Sequence, residues 1–90
     1  MLTDNEEQEL REQSEDGRKA QVVQDFVSEF LATQRAITIN KLETKEFNEA
    51  QDLVVPVLYL RTLRLFELEL EKFISLGEIA EKRLNENDDE

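Results

Sequence analysis

The sequence predicts an all-α protein built as a helical hairpin, and three observations carry that expectation. Leu, Glu, Gln, Ala, Lys and Arg dominate the 90 residues, and all are strong helix formers. Only two glycines and one proline interrupt them. Two long segments also repeat their apolar residues at steps of three and four, the period of a helix face. The expected architecture is two long helices with a short or frayed N-terminal helix, completed as a bundle by self-association.

Residues 1–17 form the first segment. Seven acids (Asp4, Glu6, Glu7, Glu9, Glu12, Glu15 and Asp16) face a single base, Arg11. Thr3 followed by Glu6 has the form of a capping box, and early acids suit the positive end of a helix dipole. Leu10 is the lone apolar residue after Leu2, too little to bury a face. The segment therefore reads as an acidic arm or a frayed helix, with Gly17 as its break.

Residues 18–84 read as the hairpin domain. In residues 18–39, Val23, Phe26, Phe30 and Ile37 make one helical stripe, with Thr33 in the remaining position. Val22, Val27 and Leu31 widen it. Residues 40–44 are the expected turn. A single helix over residues 45–84 would span about 60 Å, long for a compact domain of this size. Thr44 or Asn48 could cap its start, and Pro56 predicts a kink or break near Val54. From Leu58 onward Leu63, Phe66, Leu70, Phe73, Gly77, Ala80 and Leu84 form one stripe, and Leu65, Leu68, Leu76 and Ile79 form another. A strand is disfavoured because Phe66 breaks the alternation around Leu63 and Leu70, and because the intervening residues are mostly Glu. Residues 85–90 read as an acidic disordered tail.

Two stripes on one helix require two partners. The expected intramolecular core is Val23, Phe26, Phe30 and Ile37 against Leu63, Phe66, Leu70 and Phe73. Leu58, Leu65, Leu68, Leu76 and Ile79 are then left as an interface. Burying a Leu or Ile is worth about 1.5–3 kcal/mol, so a face of this size favours association. A homo-oligomer, first of all a dimer, or another protein partner is expected. Gly77 and Ala80 mark either a close approach of two backbones or a helix break after Ser75 and Leu76.

Composition narrows the function. The formal net charge is −11, and Cys, His and Trp are absent. A disulfide frame, a common zinc site and Cys–His or Ser–His–Asp catalysis are therefore excluded. The acidic balance disfavours direct nucleic-acid binding, which needs a basic surface. No signal peptide or membrane-spanning run is expected, so the chain reads as cytoplasmic. Neither a cofactor nor a small-molecule substrate is expected.

Acid pairs are the remaining catalytic material. Glu46, Glu49 and Asp52 share a helical spacing, and Glu78 and Glu81 form a second i, i+3 pair. These positions resemble the ExxE…ExxD arrangement of the all-α MazG-type nucleotide pyrophosphohydrolases, with Glu81 where that pattern has Asp. The resemblance implies Mg²⁺ held between facing helices. With 22 acids in the chain, solvated helix faces account for the same spacings. The expected function is therefore a non-enzymatic protein–protein interaction module, an assembly factor, adaptor or regulator. The alternative is an acidic inhibitor that mimics nucleic acid or neutralises a basic protein, of the kind found among bacterial and bacteriophage accessory proteins. A Mg²⁺-dependent nucleotide hydrolase ranks last.

Overall fold

A computed structural model describes residues 2–88. Two helices account for nearly all of them: α1 (Asp4–Thr44) and α2 (Val54–Asp88), joined by residues 45–49 and a 3₁₀ turn, Ala50–Leu53. The helices lie antiparallel in a hairpin measuring 65 × 22 × 13 Å. The Cα radius of gyration is 19.4 Å, whereas a compact chain of this length would have about 12 Å. The molecule is therefore a rod, and its helices run far longer than a compact domain would allow.

Thr3 caps α1, its Oγ1 accepting the Glu6 backbone N–H at 3.1 Å. Asp4, Glu6 and Glu7 follow in the first turn, where the helix dipole favours acids. The helix does not break at Gly17. Residues 4–17 are neither a separate arm nor a frayed end, because Leu10, Ser14 and Gly17 are buried along the hairpin seam. Covered small residues hold this segment where one leucine alone could not. At the other end α1 runs through the expected turn to Thr44, whose Oγ1 donates to the Asn40 carbonyl at 2.7 Å. Thr44 thus closes the first helix and does not cap the second. Pro56 lies in the first turn of α2, where its missing N–H costs no hydrogen bond. The expected break near Val54 is real, and it is the start of the helix. Residues 85–88 continue α2, so this part of the expected tail is helical; residues 89 and 90 lie outside the described residues.

The seam between the helices follows a seven-residue repeat. On α2 it runs Leu63, Glu67, Leu70, Ile74, Gly77, Glu81 and Leu84, all buried or half-buried. This spacing averages 3.5, the period of a left-handed coiled coil. On α1 the buried seam is Leu10, Ser14, Gly17, Ala20, Leu31 and Thr38. Most of these are small or polar, which the crossing of Gly17 and Gly77 explains. A Cβ on Gly17 would sit 2.7 Å from Gly77 Cα and 2.9 Å from the Phe73 carbonyl oxygen. A Cβ on Gly77 would sit 2.7 Å from Gly17 Cα. Neither glycine has a positive φ, so both positions are limited by space. Ala80 beside them is 0% exposed.

This geometry gives the first prediction. Glycine inside a helix normally costs about 1 kcal/mol relative to alanine, so Gly→Ala in an open helix stabilises. Here the obstructing atoms are backbone, and overpacking costs about 1–3 kcal/mol. Gly17→Ala and Gly77→Ala should each lower the thermal midpoint while leaving helical circular dichroism at low temperature. A raised midpoint would contradict the close crossing.

Candidate functional site

Seven-residue rows on the two helices divide the rod into unlike sides. On one broad side, α1 presents Val23, Phe30 and Ile37, and α2 presents Tyr59, Phe66 and Phe73, each row advancing by seven. All six are exposed. The helices meet on this side where the Tyr59 hydroxyl donates to Gln34 Oε1 at 3.0 Å. Ile37, Phe47, Val55, Pro56 and Tyr59, together with Gln34, Thr38, Lys41, Lys45 and Asp52, line a shallow groove of about 380 Å³ near the turn. Half-buried Val27 and exposed Leu76 extend the apolar side.

The opposite broad side is charged. Arg18 pairs with Glu81 across the seam. Arg35 reaches Glu67 at 2.6 Å, and Arg64 approaches the other oxygen of Glu67 at 3.5 Å. A shallow depression between Asp25, Arg35, Glu67 and Glu71 belongs to this side. Partly exposed ion pairs of this kind contribute about 0–1 kcal/mol each; they position the helices more than they stabilise them.

Charge is also divided along the rod. Residues 2–16 and 78–88 carry eleven acids against three bases, whereas residues 17–77 carry nine against eight. Eight of the eleven net negative charges therefore sit at the open end of the hairpin. The apolar side occupies the half nearer the turn.

The structure redistributes the sequence-predicted residues. Of the expected intramolecular core, Leu63 and Leu70 are buried in the seam, but Val23, Phe26, Phe30, Ile37, Phe66 and Phe73 are exposed. Phe26 is 87% exposed. Each of these six stands one position from a buried or half-buried residue (Gln24, Val27, Leu31, Thr38, Glu67 and Ile74), so the helical register turns it to the flank. Of the expected interface, Leu58, Leu65, Leu68, Leu76 and Ile79 are all exposed in the protomer. Leu76 flanks the apolar side, Leu58, Leu65 and Ile79 run along the outer edge of α2, and Leu68 borders the charged side. Reasoning from apolar content missed that the α1 row and the Tyr59–Phe66–Phe73 row together make an exposed apolar side to which both helices contribute. The available signal was the 3.5-residue alternation that places Glu67, Ile74 and Glu81 in the seam.

The acid pairs are not brought together. Glu46 and Glu49 precede the 3₁₀ turn and are not helical, while Glu78 and Glu81 lie about 36 Å along α2 from its start. Among the described residues, no group of three or more acids is placed to share a metal ion. The facing arrangement implied by the pyrophosphohydrolase resemblance is thus not formed. Among the described residues no helix is long and apolar enough to cross a membrane. No protein-family model matches the chain, and neither a curated protein nor a solved structure is significantly similar to it.

Leu31, 6% exposed, should cost about 2–5 kcal/mol when cut to alanine. Phe26→Ala should change stability by less than about 0.5 kcal/mol, as at an ordinary surface site. Urea unfolding of both variants checks the pair. A larger loss at Phe26 than at Leu31 would return the phenylalanine stripe to the seam.

Proposed function

We propose that the chain is a non-enzymatic helical interaction module, acting as an assembly factor, adaptor or regulator. It works by burying the broad apolar side of the hairpin against another protein surface. The observation that carries this reading is the continuous apolar side contributed by both helices and backed by a charged one. Among the described residues, eighteen large apolar side chains are exposed in the protomer. The accessible surface is 7154 Å², against about 5,500 Å² for a compact monomer of this mass. Part of that excess comes from the rod shape, and six of these side chains form the two adjoining rows on one broad side. Patches of this kind mark interaction sites in proteins that otherwise hide such surface.

The concentration of acid at the open end favours a second reading, an inhibitor that neutralises a basic partner. Such a contact would run through residues 4–16 and weaken steeply with salt.

One experiment tests both. A photo-reactive phenylalanine analogue is placed at Phe30, Phe66 or Glu12 and irradiated in the cells that make the protein. The interaction-module reading expects a discrete adduct from Phe30 and Phe66, to a second copy or to one other protein, and none from Glu12. An adduct from Glu12 alone would favour the acidic inhibitor. No discrete adduct at Phe30 or Phe66 would contradict the proposed module.

A further inference from the structure

We infer that the occupant of the apolar side is a second copy of the chain, docked about a two-fold axis that runs across the rod and leaves the two hairpins antiparallel. The inference rests on the interaction-module reading and names its partner.

The first argument is the symmetry of the surface itself. The row on α1 is Val23, Phe30 and Ile37, centred on Phe30. The row on α2 is Tyr59, Phe66 and Phe73, centred on Phe66. Gly17 lies against Gly77, and Gln34 is bonded to Tyr59. With that pairing, Phe30 and Phe66 fall within one helical turn of the same level on the rod. A two-fold axis crossing the face between them returns each row to itself. Val23 then meets Ile37 of the other copy, Phe73 meets its Tyr59, and the two central phenylalanines meet their counterparts. A self-complementary patch of this kind is what an isologous dimer requires.

The second argument is charge. A two-fold axis along the rod would also bring the apolar sides together, but it would stack one acidic open end on the other. With the axis across the rod, the open ends project beyond the overlap in opposite directions. Their separation then exceeds the screening length of about 8–10 Å at ordinary salt. What overlaps lies within residues 17–77, which carry nine acids and eight bases.

The third argument is area. The apolar row on α1 runs from Val23 to Ile37, about 21 Å of helix, on a rod 22 Å wide. That projects to about 460 Å² per copy, and a stable interface of standard size buries about 800 Å² of accessible surface per partner. Protruding side chains bring the accessible area of the patch above its projection, and Val27 and Leu76 at its margins add to it. The product is a four-helix bundle over its central length in which every neighbouring pair of helices is antiparallel.

The full chain contains no cysteine, so one introduced cysteine reports one site. Light scattering of the unaltered chain at about 10–300 μM should give twice the protomer mass. Spin labels on Glu12→Cys should lie about 54 Å apart along the rod, and on Lys41→Cys about 33 Å apart. An axis along the rod would instead place both pairs within about 25 Å, the width of a bundle. Phe30→Glu should lower the dimer fraction at least tenfold, whereas Leu68→Glu, on the border of the charged side, should leave it intact.

A folded monomer over the whole concentration range would overturn the second copy as occupant. The module reading would survive that result if Phe30 or Phe66 still yields an adduct to another protein. A dimer with both label pairs near 25 Å would overturn the antiparallel arrangement. So would a dimer that Leu68→Glu dissociates and Phe30→Glu spares. If Phe30→Glu does not fold alone, the two label distances decide the question without it.

Discussion

The crossing of Gly17 over Gly77 governs the rest of the molecule. Two backbones that approach until a single Cβ would collide leave no room for large side chains at the crossing itself. The residues nearest the crossing are correspondingly Ser14, Ala20 and Ala80, all buried. Close approach also brings the seam leucines of the turn-proximal half, Leu31, Leu63 and Leu70, into a thin core. Valine, isoleucine and phenylalanine that would fill a wider seam are displaced to the flanks. The hairpin therefore folds with a narrow interior and a broad apolar exterior.

This division links packing to function. A two-helix hairpin buries too little to be strongly stable by itself. An exterior that is apolar on one side and ion-paired on the other leaves the molecule one direction in which to gain further burial. Opposing that gain is the charge at the open end, which limits where a partner can overlap. Association through the turn-proximal half would satisfy both constraints. In that account stability and assembly are coupled, as they are for dimers whose protomers are marginal alone.

Much of the fold was legible in the sequence. Helix-forming composition led to two long helices and Pro56 to a break near Val54, while the Thr3 cap was assigned to a short arm ending at Gly17 and in fact opens the 41-residue α1. Side-chain direction was read less well, for a physical reason. The stripe through Val23, Phe26, Phe30 and Ile37 has the highest apolar content in α1, and apolar content ordinarily points inward. Here the inward positions are chosen by size, so Gly17, Ala20 and Thr38 outcompete phenylalanine. On α2, Phe66 and Phe73 stand one position from Glu67 and Ile74, and a stripe drawn through the rings slips onto the flank. Glu67 and Glu81 were overlooked as seam residues because a carboxylate there needs a partner from the other helix, and Arg35 and Arg18 are distant in sequence. The acid spacing at Glu46, Glu49 and Asp52 assumed a helix that begins only at Val54.

The contact between the glycines is the most direct point at which to test this account. In the full-length chain with glycine labelled selectively, the α-protons of Gly17 and Gly77 should show a strong nuclear Overhauser cross-peak. The Phe26 ring should show none to any residue of α2. Cross-peaks from Phe26 to α2, with no cross-peak between the two glycines, would mean that the phenylalanine stripe fills the seam and that the apolar exterior does not exist.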